Sequence, residues 1–262
     1  MMSTTPLLTI KGLTRRFGGL AALENLDLGV EAGSILALIG PNGAGKSTTI
    51  NVLTGVTSPT SGTVVFDGAD ITGLASHRIA VSGMVRTFQN GRLFGRLTVL
   101  ENVQAGYEGR MSASLLGSAL RTPWFRDEER KCREEALARL ADVGLADERD
   151  RLVSELPYGK QRKLELARAL MLRPRLLLLD EPAAGLNSGE VTDLVDHLQR
   201  LRNEGLTILV VEHNMSLVMR AADRIAVLNF GCKIAEGPPE EIRTSEVVIE
   251  AYLGRNSRYA KL

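Results

Sequence analysis

The chain has 262 residues, with 32 Lys+Arg against 31 Asp+Glu, 4% aromatic residues and two cysteines. That length holds one large domain or two small ones without disulfide or metal staples, and a formal net charge of +1 with few aromatics argues against a surface that recruits or stacks nucleic acid. The longest apolar runs, such as Ile35 to Ile39, fall far short of the roughly 18 residues needed to cross a bilayer; Met1 to Leu13 carries no secretory signal; and Cys132 and Cys232 lack metal-ligand spacing, which fits a reducing cytosol. Glycine is in excess, with 26 residues or about a tenth of the chain against an average near 7%.

From Leu7 to about Phe88, short β-rich runs alternate with glycine turns. They predict strands at Leu7 to Leu13, Leu23 to Val30, Ile35 to Ile39 and Thr63 to Phe66, the last closed by Asp67-Gly68. Between the third and fourth lies Gly40-Pro41-Asn42-Gly43-Ala44-Gly45-Lys46-Ser47-Thr48, which satisfies G-x-x-x-x-G-K-[ST]. A buried strand enters this loop and a helix carrying Ile50 and Leu53 leaves it. Glycines let the backbone take positive φ and approach a pyrophosphate closely. Successive N–H groups and the helix N-terminus then aim positive potential at the phosphates. Lys46 supplies a point charge for the terminal oxygens, and the Ser47 hydroxyl is a Mg²⁺ ligand. The chain is thus expected to bind a nucleoside triphosphate.

Gln89, in Arg86-Thr87-Phe88-Gln89-Asn90, closes the β-rich part, and its amide can touch Mg²⁺ or the attacking water. From Gly91 to Ser154 the pattern turns helical and charged. After Asp127 to Glu135, an apolar edge is expected on Leu137, Leu140 and Ala141. From Leu164 onward strands and helices alternate. Strands are expected at Leu176 to Leu179, Thr207 to Val211 and Ile225 to Leu228, with a helical stripe on Leu194, Val195, Leu198 and Leu201. Continuous apolar strands separated by amphipathic helices require a parallel sheet covered on both faces, with the helical middle as an insertion.

The strand at Leu176 ends in two adjacent carboxylates. At the carboxyl end of a parallel strand, Asp180 can hold Mg²⁺ through its waters and Glu181 can act as general base toward a water in line with the γ-phosphate. His213 follows the next apolar strand in Val210-Val211-Glu212-His213, where it can donate to a phosphate oxygen.

With these residues in place the whole chain resembles the ATP-binding subunit of an ABC transporter. The resemblance implies an α/β P-loop NTPase fold of ABC ATPase type: a mainly parallel sheet core with an antiparallel β subdomain and an inserted helical subdomain. It divides the single domain, 1–262, into a nucleotide-binding part at 1–88 and 165–262 and a helical part at 91–164. It places Phe17 against adenine, Gln89 at the loop that couples to membrane subunits, and Leu156-Pro157-Tyr158-Gly159-Lys160-Gln161 at the family signature. Ala184-Gly185-Leu186-Asn187 becomes the D-loop and His213 the switch histidine. Two copies are implied to sandwich two ATP molecules, each phosphate loop facing the signature of the other copy.

The signature departs from the usual Leu-Ser-Gly-Gly-Gln. Pro157 replaces the serine that contacts the opposite γ-phosphate, Tyr158 replaces the first glycine, and Asn187 stands where the D-loop aspartate is usual. A helix through Leu164, Ala167 and Met171 still offers its N-terminus, and the charge of Lys160 is expected to compensate in part for the lost hydroxyl. These departures, with the insertion from Gly106 through Trp124 and the ending Ile249 to Gly254, resemble the longer cassette of branched-chain amino acid importers. That type implies two transmembrane permease subunits, a second cassette (identical or different), a periplasmic or extracellular substrate-binding protein, and a peripheral place on the cytoplasmic face of the membrane. The alternatives within transporters are a cassette of a urea or other amide importer and one of a lipopolysaccharide exporter. A soluble ABC ATPase acting on DNA or ribosomes is opposed by the short insertion, the single phosphate loop and the near-neutral charge. A P-loop kinase would not predict a signature helix between the two nucleotide motifs.

Overall fold

A computed structural model describes residues 6–87, 93–107 and 123–253. The chain forms two compact units, one of residues up to 86, 175–184 and 188 onward, the other of 87–174 and 185–187.

The first unit opens with a long hairpin, β1 (Leu8–Phe17) and β2 (Leu20–Val30), followed by β3 (Ile35–Ile39), α1 (Lys46–Leu53), β4 (Ser61–Phe66), β5 (Ala69–Asp70), α2 (Ser76–Val81) and β6 (Met84–Thr87). It resumes with β7 (Leu176–Asp180), α6 (Ser188–Asn203), β8 (Thr207–Val211), α7 (Met215–Ala221), β9 (Arg224–Asn229), β10 (Cys232–Gly237), α8 (Pro239–Thr244) and α9 (Glu246–Leu253). Two sheets result: an antiparallel one in the order β2-β1-β4-β5 and a six-stranded one in the order β10-β9-β3-β8-β7-β6. In the larger sheet β9, β3, β8 and β7 pair in parallel, and β10 adds an antiparallel edge. The expected α/β architecture, mainly parallel with a separate antiparallel sheet, is what forms.

Strands β3, β7 and β8 are buried at every residue, because a central parallel strand has both faces covered and needs apolar side chains throughout. In the antiparallel sheet, β1 and β2 run further than expected, to Phe17 and from Leu20. The register of that hairpin shifts between Ile10 and Leu13 and again before Arg15 and Arg16, and such bulges break the alternation that marks a strand. One continuous core joins both sheets, from Leu8, Ile10 and Phe66 to Leu38, Leu178 and Leu209.

The second unit holds α3 (Val99–Ala105), α4 (Pro123–Asp142) and α5 (Tyr158–Leu170). A capping box starts α3: the Thr98 hydroxyl accepts from the Glu101 N–H at 3.2 Å, and the Glu101 carboxylate accepts from the Thr98 N–H at 2.7 Å. Cys132, Ala136, Leu140 and Val143 pack with Val99, Val103, Leu164, Ala167 and Met171. The expected edge of α4 was placed partly off its face: Leu140 is buried, Leu137 only half-buried, and Ala141 faces solvent. Spacing from Cys132 through Ala136 to Leu140 follows the i, i+4 row that a helix presents to one neighbour. The division expected between 164 and 165 falls inside α5, and the whole helix stays with this unit.

Candidate active site

The phosphate loop is shaped by glycines at positive φ, and at two of them a Cβ has no room. Gly40 has φ 152°, and a Cβ there would lie 2.2 Å from the Leu228 carbonyl oxygen of β9. Gly45 has φ 104°, and a Cβ would meet the Ala22 oxygen at 2.7 Å. Gly43, at φ 80°, faces open space. The loop is braced from behind by the β9–β10 turn: the Gly231 N–H donates to the Ala44 carbonyl at 3.0 Å, and the Glu24 N–H donates to Gly231 at 2.9 Å. Gly45 caps α1 in the left-handed conformation without a side-chain bond, so the first N–H groups of α1 remain available to an anion.

Lys46 is 8% exposed. Its Nζ donates to the carbonyls of Gly40 at 2.6 Å and Pro41 at 3.0 Å. Burial pushes its pKa below the ordinary lysine value, while the carboxylates of Glu181 and Asp180 pull it back in part. Ser47 is exposed at the head of α1, Pro41 and Thr48 are half-buried, Asn42 is exposed and Ala44 is buried.

The order of the sheet brings the other expected groups to the same edge. Strand β8 separates β3, which feeds the loop, from β7, which ends in Asp180. Asp180 is 5% exposed, and its Oδ2 accepts from Arg86 at 2.6 Å. The other arm of Arg86 donates to Asn51 of α1 at 2.8 Å. Glu181 follows in the left-handed region at φ 49°, a conformation a non-glycine residue holds only where its surroundings impose it. Its N–H donates to the Val211 carbonyl at 2.9 Å. The Glu181 Oε1 stands 3.7 Å from Nδ1 of His213, whose side chain is 61% exposed. Asp180, Glu181, His213 and Lys46 are thus brought to one end of one sheet.

The remaining expected residues lie elsewhere. Phe17, 49% exposed at the end of β1, carries the Arg15 guanidinium 4.4 Å over its ring. In the second unit Pro157 occupies the N-cap of α5 and provides no side-chain bond, and the buried Gly159 follows the exposed Tyr158. The Tyr158 ring lies against Gly185, where a Cβ would sit 2.8 Å from it, and the Arg162 guanidinium lies 4.9 Å from the ring centroid. Lys160, whose charge is expected to compensate in part for the lost hydroxyl, is ion-paired with Glu148 within its own unit. Asn187 is exposed. Gln89, residues 108–122 of the insertion and Gly254 lie outside the described residues.

Two charged groups here are not singled out by the sequence reasoning. Arg86, half-buried, is the ion-pair partner of Asp180. Glu212, quoted only beside His213, is fully buried. The signal for it was a carboxylate placed directly at the end of an otherwise apolar strand.

The ABC transporter family matches residues 23–184, and the branched-chain amino acid ATP-binding cassette transporter family matches residues 232–256. The chain is similar to the high-affinity branched-chain amino acid transport ATP-binding protein BraF of Pseudomonas aeruginosa, at 47% identity over 95% of this chain and 98% of the relative. It is 45% identical to the corresponding protein LivG of Escherichia coli K12 over the same shares. Among solved structures, a nucleotide-free ATP-binding cassette from an ABC transporter superposes with a TM-score of 0.83 at 35% identity, covering 95% of this chain and all of that one. An ATP-binding cassette in its ADP conformation gives 0.84 at 34% identity, over 96% and 100%. A dimeric cassette in a post-hydrolysis state bound to ADP and Pi gives 0.74 at 25% identity, over 88% and 98%. The chain belongs to the ATP-binding proteins of ABC transporters, in their branched-chain amino acid transport group.

Proposed function

We propose that the chain is the ATP-hydrolysing subunit of a branched-chain amino acid importer, with Asp180, Glu181, His213 and the loop from Gly40 to Thr48 as its chemical centre. The carrying observation is the convergence of the Lys46 loop, the Asp180-Glu181 pair and His213 at one end of the parallel sheet, with 3.7 Å between Glu181 and His213. The match of residues 232–256 favours branched-chain amino acids over the urea, amide and lipopolysaccharide alternatives.

The residues present fit Mg²⁺. Asp180 supplies one buried carboxylate and Ser47 one exposed hydroxyl, and Mg²⁺ is ordinarily held by one or two carboxylates together with substrate phosphates and water. When bound, the cation neutralises charge building on the β- and γ-oxygens. Gln89 is assigned to the same cation.

The protein does the rest by positioning and charge. The loop N–H groups and the α1 N-terminus hold the phosphates, and the Lys46 ammonium exchanges its bonds to Gly40 and Pro41 for phosphate oxygens. Phe17, half exposed at the end of β1, stacks on the base. The Glu181 carboxylate takes a proton from the attacking water, and His213 donates to the γ-phosphate oxygen. A second copy or a different cassette completes each site with the N-terminus of α5, through Pro157, Tyr158, Gly159 and Lys160, and with Asn187. Closure on ATP and opening after hydrolysis would drive two transmembrane permease subunits, fed by a substrate-binding protein outside the membrane. The cassette binds as a peripheral subunit on the cytoplasmic face; no described helix is long and apolar enough to cross a membrane. No nucleic acid partner is invoked.

Uptake of radiolabelled leucine tests this reading. A strain lacking the gene should lose uptake, regain it with the wild-type chain, and fail to regain it with Lys46→Ala. Full uptake restored by Lys46→Ala would overturn it.

A further inference from the structure

Glu212 stands at the end of β8, between the strand that feeds the phosphate loop and the strand that ends in Asp180. Its side chain is fully buried, and among the described residues its one ion-pair-range contact is Nδ1 of the exposed His213, 3.8 Å away. Three backbone N–H groups satisfy it instead. Oε1 accepts from Ala183 at 2.7 Å, and Oε2 accepts from His213 and Asn214, each at 2.8 Å. Short bonds from N–H groups to a carboxylate are stronger than neutral ones and fix direction as well as distance.

What these bonds join is the reason to single the residue out. Ala183 lies in the turn that carries Glu181, a turn already closed by the Ala184 N–H on the Glu181 carbonyl at 3.1 Å. Asn214 caps α7, its side chain accepting from the Leu217 N–H at 3.2 Å. His213 sits between Glu212 and that cap, with its backbone held and its side chain exposed beside Glu181. One carboxylate therefore ties the backbone of the proposed base to the backbone of the proposed phosphate donor, across the β7–β8 boundary.

We propose that Glu212 is a positioning residue for ATP hydrolysis: it holds Glu181 and His213 at the separation the reaction needs. This rests on the reading of those two residues given above. Glutamine at 212 keeps the shape but only one acceptor oxygen, and its NH₂ would face a backbone donor, so either the Ala183 side or the His213 side must let go. A displacement of about 1 Å in a catalytic group can cost on the order of 100-fold in rate.

The test is steady-state ATP turnover of the full chain, alone and assembled with its membrane subunits, for wild type, Glu212→Gln, Glu212→Asp, His213→Ala, Glu181→Gln and the double variant Glu212→Gln/His213→Ala. Glu212→Gln should lower kcat at least about tenfold while KM for ATP stays within about threefold. Glu212→Asp, whose carboxylate is drawn back by one methylene and can serve one side only, should fall between. In the His213→Ala background Glu212→Gln should cost less than it does in the wild type, because one of the two groups that Glu212 positions is gone while Glu181 remains. Wild-type kcat in Glu212→Gln, a parallel rise in KM, or a loss that multiplies fully with that of His213→Ala would overturn the proposal. If Glu212→Gln does not purify folded, the same comparisons are read from Glu212→Asp. Wild-type turnover in Glu181→Gln and His213→Ala would instead defeat the reading of the site itself.

Discussion

Gly40 and Gly43 both take positive φ in the same loop, but they differ in what surrounds them, and that difference makes a measurable prediction. Alanine at either position holds a conformation costing about 1–3 kcal/mol. At Gly43 the added methyl enters open space, so strain is the whole penalty. At Gly40 the same methyl lies 2.2 Å from the Leu228 carbonyl oxygen and 3.0 Å from the Ala44 Cβ, with β9 held in the sheet beside β3 and unable to retreat. Overpacking of this kind adds about 1–3 kcal/mol. In a chain of this size each kcal/mol shifts Tm by roughly 2–4 °C, so Gly40→Ala should melt about 2–12 °C below Gly43→Ala. Thermal unfolding followed by circular dichroism reads the difference directly, because the shared strain cancels. Equal melting temperatures, or a lower one for Gly43→Ala, would refute the claim that the wall of β9 shapes the loop.

Other perturbations separate the groups at the site. Glu181→Gln should bind ATP with wild-type affinity in equilibrium titration yet release phosphate roughly 10²- to 10⁴-fold more slowly; a wild-type rate would remove it as the base. Arg86→Ala leaves the Asp180 carboxylate, 4% exposed as a side chain, buried without its cation, and should destabilise the chain by about 3–5 kcal/mol in denaturant titration. Adding Asp180→Asn should recover part of that loss, and no recovery would mean that the pair is not the cause. Glu148→Gln frees Lys160 and should tighten ATP-driven dimerisation in the Glu181→Gln background, whereas Lys160→Ala should weaken it a few-fold. Light scattering that shows both changes acting in the same direction would take Lys160 out of the composite site.

The parts of this molecule legible from sequence are those where one physical requirement dominates. Strands β3 and β8 were bounded correctly because a central parallel strand must be apolar at every position. The phosphate loop is legible as a glycine-rich turn between β3 and α1, and Asp180, Glu181 and His213 stand where they are expected, at the carboxyl ends of parallel strands. Edge strand β10 was missed, since Cys232 to Ile234 carry no alternation and no residue before Gly237 is fully buried. The apolar face of α4 slipped because Cys132 and Ala136 count weakly as apolar, although both are buried. Arg86 and Glu212 were passed over for a different reason: a charge reads as surface until its partners are known, and theirs come from residues distant in sequence or from backbone groups that no side-chain pattern reveals.

The brace behind the phosphate loop has a consequence for how the chain reports on itself. The Gly231 N–H is held by Ala44 at the start of the segment that distinguishes this transport group, residues 232–256. At the far end of that segment, burial pushes the Tyr252 phenol up and the Gly40 backbone N–H pulls it back. The feature special to one branch of the family is therefore in series with the loop common to all of them. Isotope exchange at Gly231, read by mass spectrometry or NMR, becomes a native gauge of loop occupancy that needs no label near the nucleotide. Trimming or tagging the tail would be felt as altered nucleotide handling before any loss of fold.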